Sequence, residues 1–287
     1  MQRVLVTGGL GFVGSHLVDL LLTKKEYDIT VLDNLISDSS SKKNKRKNVG
    51  YIIDDIRNIK KYVDLPKFDI IFHLAALARI QPSFQKPSEW FDVDARGTME
   101  ILDFARKIDA KVVYSGSSTF YGGIHKSPYG FAKWCGEEIC KMYSNIYKVK
   151  TVITRFFNVY GDRQPDDGDF ATIVGIFEKQ TKDKESLTIV GTGEQRRDFT
   201  HILDICEGLI AASHDDWYGE AFPLGTGINY SINELADMFG GEKIYIPKRP
   251  GEAEITLADI SKTKKLLKWN PTHSLNEYIT KFKESLK

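Results

Sequence analysis

Thr7-Gly8-Gly9-Leu10-Gly11-Phe12-Val13-Gly14 follows the apolar run Val4-Leu5-Val6 and leads into an amphipathic stretch over 12–24. A strand that turns through three glycines into a helix can open a nucleotide-binding α/β unit. Glycine permits the tight turn and lets backbone approach a pyrophosphate, while the free N–H groups of the helix start face the phosphates. Taken alone, the same turn also fits a glycine-rich connection with no ligand. Asp33 favours the first reading, because it closes the second apolar run nineteen positions after Gly14. A carboxylate there accepts hydrogen bonds from the adenosine ribose and repels a 2′-phosphate, which favours NAD over NADP.

Outward from this turn, 3–6, 29–32, 51–53, 69–73, 111–114 and 151–155 read as strands, and 12–24, 88–108 and 129–147 as helices. Such alternation specifies an α/β fold with a doubly wound parallel sheet, the Rossmann arrangement. Continuous apolar strands fit a sheet covered on both faces. The second half is punctuated by Pro165, Gly168, Gly191, Gly193, Pro247, Pro250 and Gly251, with helical patterns at 171–181, 202–214, 232–239 and 275–286. The expected division is a NAD-binding domain from 1–155 plus about 199–224. A smaller mixed α/β substrate-binding lobe takes 156–198 plus 225–287.

With 41% hydrophobic and 28% charged residues and a net charge of +1, the 287-residue chain has an ordinary globular composition. Neither nucleic acid nor membrane is expected as a partner. No apolar run approaches the roughly 20 residues of a membrane span, and no secretory leader is expected before the glycine turn. Cys135, Cys140 and Cys206 form no Cys-x-x-Cys pair, which suits reduced thiols in the cytoplasm. The six histidines lack ligand spacing, so no metal is expected, and His73 reads as the end of a buried strand. Residues 37–48 contain no apolar side chain. They read as a solvated mobile loop, with a patch for an anionic partner or a place near the adenosine end of a cofactor as alternatives.

The candidate chemistry lies at Tyr129 and Lys133, four apart and so on one face of a helix, with Ser127 as its cap and Pro128 at its first position. The lysine charge is expected to lower the tyrosine pKa, so that the phenol can take a hydroxyl proton while hydride leaves the same carbon. By itself, a Tyr-x-x-x-Lys pair is equally an exposed helical pair. Ser117 and Thr119, in the hydroxyl-rich run after the fifth strand, can hydrogen-bond the reacting oxygen. Candidate cofactor contacts are Gly8, Gly11, Phe12, Val13, Asp33, Asn34, Asp55, Ile56, Leu74, Ala75 and Ala76, at the ends of the first four strands, together with Tyr129 and Lys133.

In this order the residues closely resemble the extended short-chain dehydrogenase/reductases, and among them the NAD-dependent nucleotide-sugar epimerase/dehydratase family. The resemblance spans nearly the whole chain. It continues through Arg155-Phe156-Phe157-Asn158-Val159-Tyr160-Gly161, Arg197-Asp198-Phe199-Thr200-His201 and Arg249-Pro250-Gly251-Glu252. It implies a nucleoside-diphosphate sugar, with UDP favoured, as substrate and Ser117, Tyr129 and Lys133 as the catalytic set. Asn158, Arg197, Arg249 and Glu252 would hold the nucleotide, the two arginines at its diphosphate. A homodimer through helices near 88–108 and 129–147 is also implied.

Within that family, 4,6-dehydratases have Asp-Glu where this chain has Ser118-Thr119, and decarboxylases of UDP-glucuronate have Glu at the position of Thr119. Both activities are therefore disfavoured, and the chain is most similar to UDP-hexose 4-epimerases, which pass through a transient 4-keto sugar. A nucleotide-sugar dehydratase, decarboxylase or reductase of the same family, or a non-catalytic protein that binds NAD or a nucleotide sugar, remains as an alternative. Thr256 matches a position where a bulky tyrosine excludes N-acetyl groups, so the resemblance implies room for UDP-N-acetylhexosamines. Two departures stand out. Only 123–128 separate Tyr121-Gly122 from Tyr129, and Asp94 replaces the usual asparagine.

Overall fold

The computed structural model describes residues 1–36 and 43–286. Its strands are β1 (Gln2–Thr7), β2 (Tyr27–Asp33), β3 (Gly50–Ile53), β4 (Ile70–His73), β5 (Lys111–Ser117), β6 (Thr151–Phe156), β7 (Asn158–Tyr160), β8 (Leu187–Val190), β9 (Arg196–His201), β10 (Tyr218–Leu224), β11 (Asn229–Ser231) and β12 (Lys243–Ile246). Seven of them form one sheet in the order β3-β2-β1-β4-β5-β6-β10. Every pairing in it is parallel. The strand order reverses between β1 and β4, and in such sheets ligands bind beyond the strands' carboxyl ends at that point.

Alternation along β1 feeds two cores. Val4 and Val6 face Leu17, Leu21, Ile205 and Leu209 from the helices Phe12–Thr23 and Ile202–His214. Leu5 faces the opposite way, toward Ile101, Leu102 and Cys140 from the helices Gly97–Ile108 and Pro128–Tyr147. A sheet covered on both sides explains why β4 buries all four of its residues. His73 ends that strand. It bonds Thr7 Oγ1 at 2.8 Å and Thr98 Oγ1 at 3.1 Å, and burial pushes its imidazole down to about 3.

The smaller lobe has its own core around Phe177, Leu187, Phe199, Leu235, Phe239 and Ile279. Two short sheets, β11-β9-β7 and β12-β8, cover it. Asp198, fully buried on β9, accepts hydrogen bonds from the backbone N–H groups of Thr226, Gly227 and Ala258. That knot fixes the face of β9 from which Arg197 projects. Not all of the C-terminal stretch serves this lobe. Ala258, Ile260, Leu267 and Trp269 join the large core, and Trp269 Nε1 donates to Asp204 O at 2.9 Å.

The helix expected over 88–108 is interrupted. Pro87–Trp90 and Gly97–Ile108 are α-helical, but Phe91–Arg96 is a π-helical turn. Of the polar segment 37–48, residues 37–42 lie outside the described residues. The rest folds against the first helix: Arg46 pairs with Asp19 at 2.6 Å, and Asn44 Nδ2 donates to Leu10 O at 2.8 Å.

Candidate active site

A cleft of about 730 Å³ opens along the carboxyl ends of β1, β2, β4 and β5 and continues between the large sheet and the lobe. Its volume is in the range of small-molecule sites. Every candidate catalytic, cofactor-binding and substrate-binding residue lines it, from Gly8 and Asp33 at one end to Arg249 and Thr256 at the other. The exposed-pair alternative for Tyr-x-x-x-Lys does not describe this chain, because both side chains line the cleft and Lys133 is buried.

At the first end the wall is main chain. Gly8 takes φ +69°, and a Cβ there would stand 2.8 Å from Ala75 N. A Cβ on Gly14 would stand 2.1 Å from Gly8 O. The helix Phe12–Thr23 starts at Gly11 with no side-chain cap, so its first N–H groups stay free for a ligand. Asp33 is buried, and its carboxylate accepts from the Leu10 N–H at 2.9 Å and the Leu35 N–H at 2.8 Å. These bonds lock the carboxylate while leaving lone pairs for ribose hydroxyls. Asp55 accepts from Asn34 Nδ2 at 3.1 Å and pairs with Arg57 at 2.7 Å, which holds its carboxyl below the usual range. A close-approach turn, an uncapped helix start and a locked carboxylate fit a dinucleotide.

The centre is a hydroxyl chain. The Ser127 side chain accepts from the Gly130 N–H at 3.0 Å, and Pro128 follows at the first helical position. That start places Tyr129 and Lys133 on the cleft side of the helix Pro128–Tyr147. Tyr129 Oη lies 3.5 Å from Ser117 Oγ, which in turn accepts from Thr119 Oγ1 at 3.0 Å. Behind them, Arg155 and Glu137 form a buried ion pair at 2.7 Å that braces β6 against this helix.

Burial pushes the Tyr129 phenol up. The Ser117 hydrogen bond and the Arg79 charge act against that rise, and the Asp94 charge adds to it. Arg79 is thus a cation acting on Tyr129 that the sequence pattern does not announce. Lys133 Nζ lies 4.4 Å from the centroid of the Tyr114 ring. Burial lowers its pKa, while Asp94 and Glu137 pull it back up. Asp94 reaches this group from the π turn. It is buried, its Oδ1 accepts from the Leu77 N–H at 2.8 Å, and its Oδ2 has no partner. Burial lifts its carboxyl to about 7 despite the opposing effects of Lys133 and the Leu77 N–H.

At the far end the wall is side chains. Arg197 is buried and pairs with Glu252 at 3.0 Å. Gln81 Nε2 donates to Pro250 O at 2.8 Å, tying the segment that carries Arg249 and Glu252 to the main domain. Thr256 is buried with its hydroxyl unpartnered, and Asn158 sits at the start of β7. The sequence reading passed over Arg79. It belongs to no motif, and its one cross-cleft partner is the carbonyl of Phe170.

A family model described as the NAD dependent epimerase/dehydratase family matches residues 4–225. A protein of Methanocaldococcus jannaschii described as a putative UDP-glucose 4-epimerase is 34% identical, covering 96% of this chain and 95% of that protein. The crystal structure of a UDP-glucose 4-epimerase with UDP-glucose from Thermotoga maritima superposes with a TM-score of 0.92 at 29% identity, covering all of both chains. A UDP-glucuronic acid 4-epimerase from Bacillus cereus, in complex with UDP-glucuronic acid and NAD, superposes at 0.90 with 30% identity over 99% of each chain.

Proposed function

The chain belongs to the NAD-dependent epimerase/dehydratase family, and from that membership we propose that it is an NAD-dependent 4-epimerase of a UDP-hexose or UDP-N-acetylhexosamine. The observation that carries the reading is the central triad. Tyr129, Lys133 and Ser117 meet between a dinucleotide cradle and a two-arginine wall, and Ser118 and Thr119 supply no carboxylate beside them.

Gly8, Gly11, Phe12, Val13, Asp33, Asn34, Asp55, Ile56, Leu74, Ala75 and Ala76 hold the dinucleotide, and Lys133 binds its nicotinamide ribose. When bound, NAD supplies reversible hydride acceptance from carbon 4 of the sugar. The residues of the chain manage the proton and the substrate. Tyr129 takes the O4 proton, while Ser117 and Thr119 hydrogen-bond that oxygen and keep it in line with the phenol. Arg197 and Arg249 fork onto the diphosphate, Asn158 and Glu252 hold the nucleoside side, and Thr256 leaves space beside the sugar. Anchoring the nucleotide while leaving the 4-keto sugar free to turn lets the hydride return to the other face. Tyr129 then returns the proton.

The exposed apolar side chains Met99, Met142, Ile146 and Tyr147 on the helices Gly97–Ile108 and Pro128–Tyr147 support a homodimer through those two helices. Unpaired cysteines support a cytoplasmic location. No described helix is long and apolar enough to cross a membrane.

The test is turnover of UDP-glucose, UDP-galactose and their N-acetyl forms without added NAD. Interconversion with no net cofactor consumption is expected. A 4-keto-6-deoxy product or stoichiometric NADH formation would replace the epimerase reading with a dehydratase or an oxidoreductase.

A further inference from the structure

Arg79 has no place in the scheme above. It directly precedes the short helix Ile80–Gln85, whose Ser83 hydroxyl accepts from the Tyr129 N–H at 3.2 Å, and it lines the cleft with that tyrosine. Its guanidinium donates to two backbone carbonyls, Ala78 O at 2.9 Å and Phe170 O on the opposite wall. Its Nε is buried without a partner. Of the other arginines beside or behind the same cleft, Arg57, Arg155 and Arg197 each pair with a carboxylate, and Arg249 is exposed to solvent. Among the described residues Arg79 has no such partner. Burial works against its charge, and a desolvated cation without a counter-ion is costly to keep. A neutral hexose offers nothing to offset that cost.

The diphosphate already has Arg197 and Arg249. What lies beside Tyr129, if the epimerase reading holds, is the sugar around carbon 4. We propose that the substrate carries a carboxylate on a substituent of a ring carbon adjoining that centre, and that Arg79 binds it. Two positions satisfy the chemistry: a uronic acid, with the carboxylate on the carbon 5 side, or a lactyl ether on the carbon 3 side. A guanidinium with unused N–H donors suits a carboxylate, and its anchor to Phe170 O holds the fork in place.

The experiment measures kcat/KM of the intact NAD-loaded protein for UDP-glucuronate and UDP-N-acetylglucosaminuronate, for UDP-N-acetylmuramate, and for UDP-glucose and UDP-N-acetylglucosamine. The first two arms separate the two carboxylate positions. At least one is expected to exceed the neutral sugars about 10-fold or more, and Arg79→Gln is expected to lower that ratio about 30-fold. A wild-type protein that favours the neutral sugars, or treats all alike, overturns the proposal without any variant having to fold. A ratio unchanged in Arg79→Gln also overturns it, because a guanidinium serving only Tyr129 or the diphosphate affects all substrates equally. If no sugar nucleotide is turned over, the epimerase reading fails separately. Calorimetric affinities of the same nucleotides then decide: tighter binding of a carboxylated one supports the proposal, and equal binding overturns it.

Discussion

Around Gly8 and Gly14 the cleft wall is main chain packed against main chain, whereas around Arg197 and Thr256 it is side chains held by other side chains. At the first end, a Cβ added to Gly14 would stand 2.1 Å from Gly8 O, and the geometry follows from a local run of residues. At the second end, Arg197 depends on Glu252, fifty-five positions away, and Gln81 reaches Pro250 across 169. A backbone cradle reads the part of a ligand that never changes. A wall of side chains can be refitted one substitution at a time without disturbing the cradle.

Tyr129, where the two ends meet, gives the largest expected effect. Tyr129→Phe removes the proton acceptor and is expected to lower kcat about 10³-fold, while copurified NAD, read by absorbance after denaturation, stays. Loss of the NAD together with turnover would mean that the tyrosine holds the cradle and does not carry the proton. Gly14→Ala breaks the cofactor end alone. The added Cβ meets a backbone oxygen, so NAD affinity by calorimetry is expected to fall about 30-fold or more. Retained affinity would show that the turn relaxes freely.

Thr256→Tyr sharpens the sugar end. It is expected to reduce kcat/KM for N-acetylated sugars about 10-fold relative to plain ones, and an equal loss on both would remove the steric account. The smallest effect lies at Asp94. Burial lifts its carboxyl to about 7, against 3.8 for an ordinary aspartate. Between those values the folded chain binds more protons than the unfolded one, so this group makes stability fall as pH rises from about 4 to about 7. Asp94→Asn is expected to flatten that slope in urea midpoints taken across the window and to leave the protein more stable at pH 8. A variant slope as steep as the wild-type slope would assign the pH dependence elsewhere.

The cofactor end was open to reading because its signals are local. Three glycines, a carboxylate closing the next strand and a four-residue interval on a helix each express a period of the backbone. The main sheet was legible for the same reason: apolar runs of four to seven residues alternate with helices. The lobe was not. The strands β7 and β11 have three residues each, too few to show a pattern, and they exist because β9 lies between them. Arg79 escaped notice because its significance is an unmet charge, which appears only once every nearby carboxylate is seen to point elsewhere. Spacing shows that Tyr129 and Lys133 share a helix face, but not that the amine also lies over the Tyr114 ring.

The π turn at Phe91–Arg96 has a consequence for how this chain tolerates change in length. An α-helix advances 100° per residue, so deleting one residue inside the turn would let a regular helix run through from Pro87 and swing everything after the deletion by about that angle. A deletion just before Asp94 would turn its carboxyl away from the Leu77 amide and from Lys133, on which it acts from outside that residue's own helix. A single lost codon there would rewire the electrostatics around Lys133 while deleting none of the candidate site residues.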